Sequence, residues 1–138
     1  MKNSTDIYRK LILLMIRSRR HMFESIEERK MTPVQGMLIM LFSPGESKSM
    51  QKLSELMGCD ASNITGLVDR LDAQQLIERT VDPADRRVKM IKLSEKGIQC
   101  REEMLKGLRK AEAVDVQQLT PEEQVVLVRI IDKLTSDM

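Results

Sequence analysis

The chain has 138 residues, 41% hydrophobic and 32% charged, with 23 basic against 21 acidic side chains. At about 150 residues per domain this is a single soluble globular domain, too rich in apolar side chains to be disordered. Three aromatic residues (Tyr8, Phe23 and Phe42) and no Trp exclude a stacking platform for single-stranded nucleic acid, and a net charge of +2 selects no class of partner by itself.

The punctuation along the chain is helical. From Asp6 to about Glu28 there is no Pro or Gly. Ile7, Leu11, Leu14, Met15, Met22 and Phe23 recur near a 3.6-residue period, and Ile12, Leu13 and Ile16 widen the stripe. A helix apolar over more than one face is either deep in a core or contributes to a subunit interface. Thr32-Pro33-Val34-Gln35 is a capping-box start for a second helix, which stops at Ser43-Pro44-Gly45. Met50 to Met57 reads as a short helix capped by Ser49 and ended by Gly58 in a left-handed turn. Asp60 caps the next helix, which runs to about Gln75. Ile77 to Val81 and Val88 to Leu93 are β-branched strands around the turn material Asp82-Pro83-Ala84-Asp85, a hairpin. Ser94 caps a long helix to about Val114, with Gly97 in its first turn, where a weak helix former costs least. Thr120-Pro121-Glu122-Glu123 opens the last helix. The expected fold is mainly α: six helices plus a two-stranded β-hairpin wing, as a winged helix-turn-helix.

The function rests on two features. On the Asp60-capped helix, Ile64, Leu67, Val68 and Leu71 fall within about 100° of one another at 100° per residue. Ser62, Thr65, Gly66, Asp69 and Arg70 take the other side, with Asn63 at its margin. Small hydrogen-bonding residues near a helix N-terminus, followed by a cation, suit a major groove; they also suit an ordinary solvated face. The hairpin tip carries Arg86 and Arg87, placed for a minor groove or phosphates, with Asp85 positioned to pair with Arg87 and fix its aim. A solvated turn is the bland alternative. Between Asp60 and Lys96, seven basic residues balance seven acidic ones, so any DNA binding depends on where the charges point.

Leu53-Ser54-Glu55-Leu56-Met57-Gly58, Val68-Asp69-Arg70-Leu71, Leu76-Ile77-Glu78-Arg79, Asp82-Pro83-Ala84-Asp85-Arg86-Arg87 and Leu93-Ser94-Glu95-Lys96-Gly97 together resemble the MarR family of bacterial transcription regulators. The resemblance extends to Leu119-Thr120-Pro121-Glu122-Glu123 and so over nearly the whole chain. It implies a homodimer built by the first helix and the last two, binding a pseudo-palindromic double-stranded DNA operator. Recognition helices would enter successive major grooves and wings the flanking minor grooves. By this carry-over Ser62, Asn63, Thr65 and Arg70 face the groove, and Arg87 is the wing-tip arginine braced by Asp85. Gly66 stands where many relatives have a larger, often basic residue.

The expected organisation is one domain over 1–138, with dimerisation helices at 1–30 and 98–138 and a DNA-binding lobe at 31–97. Within the lobe the helix-turn-helix lies at about 50–75 and the wing at about 77–93. The expected DNA-binding residues are Ser49, Gln51, Ser62, Asn63, Thr65, Gly66, Asp69, Arg70, Arg86 and Arg87. Those expected at the dimer interface are Ile7, Leu11, Leu14, Val125, Val128, Ile131 and Leu134.

The resemblance also implies release from DNA by a small anionic or phenolic effector, or by cysteine oxidation. Effectors in the family sit in the crevice between dimer helices and winged domain. Met15, Met22, Met37, Met40 and Met57, among eleven Met, are either lining for an adaptable pocket or core filler. The family's redox branch carries its reactive Cys on the first helix, and this sequence has none there. Cys59, in the turn before the recognition helix, is either a small buried residue or a redox-sensitive thiol whose oxidation would displace Ser62 and Asn63. Cys100 is expected to be structural, and His21 a surface or interface residue or a pH-responsive group.

No cofactor or metal is expected, since two distant Cys and one His do not make a zinc site. No P-loop, no GxGxxG and no nucleophile–base pair can be assembled, so an enzyme is not expected. The apolar runs Leu11 to Ile16 and Met37 to Phe42 are too short for a bilayer, and no secretory pattern is seen, so a cytoplasmic location is expected. The alternative from another class is a helical winged-domain interaction module without operator binding.

Overall fold

A computed structural model describes residues 2–112 and 114–138. The elements run α1 (Lys2–Glu27), α2 (Pro33–Met40), β1 (Ser47–Ser49), α3 (Met50–Met57), α4 (Ala61–Ala73), β2 (Ile77–Val81), β3 (Lys89–Leu93), α5 (Glu95–Lys110), a 3₁₀ turn (Val116–Gln118) and α6 (Pro121–Leu134). Among the described residues no helix is long and apolar enough to cross a membrane.

The helix starts follow from side chains acting on their own first turn. Thr32 Oγ1 accepts from the Gln35 N–H and Gln35 Oε1 accepts from the Thr32 N–H, at 3.3 and 3.1 Å. Thr120 and Glu123 repeat the reciprocal pair at 3.2 and 2.8 Å. Each box satisfies two donors that a helix start otherwise leaves orphaned. Ser49 caps α3 and Asp60 caps α4 by accepting from the Lys52 and Asn63 N–H groups. Gly58 ends α3 at φ +62°, a conformation that costs an L-residue its Cβ clearance.

The sheet has three strands in the order β1-β3-β2, all antiparallel, where the sequence predicts two. Ile77 pairs with Leu93 and Arg79 with Ile91, while Lys48 pairs with Ile91 from the other edge. β1 reads Ser-Lys-Ser, with no apolar residue to mark it. Its inward position is filled by the buried Lys48, whose ammonium stays paired with Glu46 at 2.6 Å. The Lys stem covers apolar surface while its head keeps a counter-ion.

α5 ends at Lys110, not near Val114; Glu112 turns to positive φ and the 3₁₀ turn follows. Its start is locked to the α4–β2 turn. Ser94 Oγ accepts from the Gly97 N–H and donates to the Gln75 carbonyl at 2.6 Å. A Cβ on Gly97 would lie 1.9 Å from the Leu76 carbonyl oxygen, so Gly97 is there for close approach of backbones and not only because a first turn tolerates it.

The chain divides into two compact units, Ile26–Leu105 and the pair of segments Met1–Ser25 and Lys106–Met138. Both divisions fall inside α1 and α5, not at their ends. Ile26 and Met104, each within 1% of full burial, belong to the first unit, which explains why the helices are cut there. This winged unit holds every buried hydrophobic side chain among the described residues, from Phe42, Leu38 and Leu53 through Ile64, Val68 and Leu71 to Ile91. Among the described residues the helical unit holds none.

Candidate nucleic-acid interface

α3, the Gly58 turn and α4 form the helix-turn-helix. α4 buries Ile64, Leu67, Val68 and Leu71, the four residues its periodicity selects. Its opposite face is therefore fixed. Ser62, Asn63, Thr65, Asp69 and Arg70 are exposed on that side, with Gly66 between them.

The hydroxyls on this face are already engaged. Ser62 Oγ donates to Asp60 Oδ1 at 2.9 Å, and the Asn63 N–H donates to the same oxygen at 2.9 Å. These bonds hold the Asp60 carboxyl below its usual range, the backbone bond from Asn63 first and the Ser62 hydroxyl next. Thr65 Oγ1 donates back to the Ala61 carbonyl at 2.8 Å. Arg70 forms no ion pair among the described residues. Ser49 and Gln51 stand at the head of α3; Ser49 is engaged as its cap, and Gln51 is exposed with Nε2 3.4 Å from Glu55.

Asp69 stays on the expected face, but its carboxylate accepts from Arg79 of β2. Arg79 Nε donates to Asp72, one turn further along α4, at 3.1 Å. One guanidinium thus clamps the recognition helix to the wing through two carboxylates. Asp69 first, with burial working against it and Asp72 assisting, raises the Arg79 pKa. Sequence reasoning missed this residue. Its only local signal is a charged position in a strand, and its partners lie seven and ten residues away.

At the wing tip the loop is held by its own aspartates. Asp82 Oδ1 accepts from the Ala84 N–H at 2.8 Å, and the Val88 carbonyl accepts from the Asp82 N–H at 2.9 Å. Arg87 donates to Asp85 from Nε, Nη2 and its backbone N–H, each at 3.1 Å. The Arg87 side chain is 91% exposed, so the brace fixes its aim without hiding it. The guanidinium and backbone bonds from Arg87 hold the Asp85 carboxyl below its usual range. Arg86 is exposed and forms no ion pair among the described residues.

In the helical unit, Ile7, Leu11, Leu14, Val125, Val128, Ile131 and Leu134 are all exposed. α6 buries no residue at all. His21 Nδ1 lies 3.5 Å from Glu24 on α1. Of the methionines considered as pocket lining, Met22 borders a cavity of about 320 Å³ in this unit, while Met15 and Met37 are exposed.

Both cysteines are free and half-buried. Cys59 Sγ donates to the Met57 carbonyl at 3.5 Å, and the Cys59 carbonyl accepts from Ser54 Oγ, which pins the turn before α4. Burial pushes the Cys100 thiol up, away from the thiolate a redox sensor needs.

The glycines differ from one another. A Cβ on Gly36 would lie 2.5 Å from the Ile26 side chain, and one on Gly107 2.7 Å from Ser25 Oγ. A Cβ on Gly66 would meet nothing within 4 Å. A mid-helix Gly costs about 1 kcal/mol relative to Ala, and here no packing requires it.

The MarR family model matches residues 31–89. The chain is 32% identical to the HTH-type transcriptional repressor MdtR of Bacillus subtilis over 130 residues, 94% of this chain and 84% of the repressor. Its fold is similar to the crystal structure of the YusO protein from Bacillus subtilis, with 31% identity, a TM-score of 0.63 and coverage of 96% of this chain and 94% of that one. It is also similar to BpsR of Bordetella bronchiseptica, in a structure described as the mechanism for regulation of its DNA binding by 6-hydroxynicotinic acid. That match has 23% identity, a TM-score of 0.64 and coverage of 94% and 98%.

Proposed function

The chain belongs to the MarR family of DNA-binding transcription regulators, and from that premise we propose that it acts as a homodimeric, effector-released repressor of a pseudo-palindromic operator. The observation that carries this reading is the pairing, within one winged unit, of an exposed small-residue face on α4 with an exposed, aspartate-braced arginine at the wing tip. Arg70, Asn63 and the α4 N-terminal turn read or anchor the major groove, with Ser62, Thr65, Ser49 and Gln51 beside them. Arg86 and Arg87 enter the flanking minor groove or hold its phosphates. Asp69 acts through Arg79, and Asp85 through Arg87.

The second copy is this same chain. Among the described residues eighteen large hydrophobic side chains of the helical unit are exposed, fifteen of them on α1 and α6, against four of the winged unit. A face of that size on α1 and α6 requires cover. Dimerisation by residues 1–30 and 98–138 supplies it and sets two recognition helices one helical turn of DNA apart. Repression is supported by the similarity to a repressor over nearly the whole chain. A small anionic or phenolic effector is supported by 6-hydroxynicotinic acid, which regulates DNA binding by the Bordetella protein.

The test is a titration on duplexes selected by the protein from fragments of its source genome, repeated over a salt series. Arg70→Ala and Arg87→Ala are each expected to weaken binding by about 1–3 kcal/mol. A chain that selects no duplex, or whose function survives both changes, is an interaction module instead.

A further inference from the structure

We propose that Gly66 is a clearance position that sets operator specificity: its missing side chain lets the α4 backbone lie against the base edges at the centre of each half-site. The inference rests on the DNA-binding reading above. Among the helical glycines Gly36, Gly97 and Gly107, a Cβ would collide with Ile26, Leu76 or Ser25. Those three are required by the chain's own packing. Gly66 faces open space, so its helix-weakening presence has no cause inside the subunit.

Its place on the helix supplies the cause. At about 100° per residue Gly66 lies about 40° from Ser62 and about 40° from Arg70, on the side opposite the buried Ile64, Leu67, Val68 and Leu71. It is thus central on the face that the two flanking contacts define. An α-helix with its side chains is about 10–12 Å across and the major groove about 12 Å wide, so the pair fit with almost no slack. Removing the central side chain moves the helix axis toward the bases. The neighbours allow that approach, because the Ser62 and Thr65 hydroxyls are folded back onto Asp60 and the Ala61 carbonyl. Specificity at this step then comes from fit, and the cationic Arg70 one turn later comes within reach of a base edge.

The experiment compares Gly66→Ala and Gly66→Lys with the parent protein. A duplex selected from a randomised pool by the parent protein is titrated beside a scrambled duplex of the same length, and thermal unfolding is recorded for all three proteins. The clearance role expects Gly66→Ala to melt at least as high as the parent yet lose tenfold or more of the preference for the selected duplex. Gly66→Lys should tighten the scrambled duplex through its charge and lose still more preference. A preference kept within twofold by Gly66→Ala, or raised by Gly66→Lys, would overturn the inference and mark Gly66 as a vacant contact position. A lower melting temperature for Gly66→Ala would overturn it too, since the glycine would then serve the fold. If the parent protein itself selects no duplex, the DNA-binding reading falls and this inference with it; a failure confined to the variants leaves that reading standing.

Discussion

The winged unit and the helical unit solve opposite problems with the same kinds of residue. Residues 26–105 enclose their apolar side chains, from Ile26 to Met104, and leave polar faces outward. The other unit has long amphipathic helices, sound caps and no buried apolar side chain among the described residues. Helix formation and core formation are thus separable. A capping box or a 3.6-residue stripe makes α6 a helix, but only a facing surface makes its stripe a core. The winged unit finds that surface within itself; for the helical unit, the homodimer proposed above would supply it.

The comparison breaks most directly at the winged core. Phe42→Ala should lower the unfolding free energy by about 3–5 kcal/mol in urea denaturation, because it removes a fully buried ring and leaves a cavity. A loss below about 1 kcal/mol would mean that this unit is not self-contained. Next in size, Ile131→Asp on the exposed face of α6 should weaken self-association at least tenfold by sedimentation equilibrium, with the winged core still folded by circular dichroism. If the assembly is unchanged, the helical unit is covered in another way.

The smaller effects sharpen the picture of the winged unit. Arg79→Met should cost about 0.5–1 kcal/mol of stability, since its two ion pairs are exposed, yet lower operator affinity by releasing the wing from α4. Equal affinity for parent and variant would make the clamp structural only. Smallest is the titration of Asp85. Its folded carboxyl is held below the ordinary range, so its brace on Arg87 is complete above that range and is lost as pH falls through the depressed value. Carboxyl NMR of the parent should therefore give a lower Asp85 midpoint than Arg87→Ala. Coincident midpoints would dissolve the brace.

Much of this was legible in the residues. Thr32, Ser49, Asp60 and Thr120 act on N–H groups three positions ahead, and Gly58 on its own dihedral, so a local pattern specifies each. The buried stripe of α4 follows from periodicity, and with it the exposed candidate face. Asp85 and Arg87 meet across two residues. β1 was not legible, because Ser-Lys-Ser has no strand signature and pairs only once β3 offers an edge forty residues later. Nor was the Arg79 clamp.

The sequence by itself therefore determined what depends on neighbours along the chain: where helices start and stop, which side of each is apolar, and which side chains crown the wing. Only the tertiary structure decided what depends on approach through space. It showed that Gly97 is required by the Leu76 carbonyl while Gly66 is required by nothing in the subunit. It also showed that the apolar stripe of α4 is covered and that of α6 is not. A stripe has the same spacing whether or not a partner faces it, and hydrophobic burial is a property of the pair of surfaces.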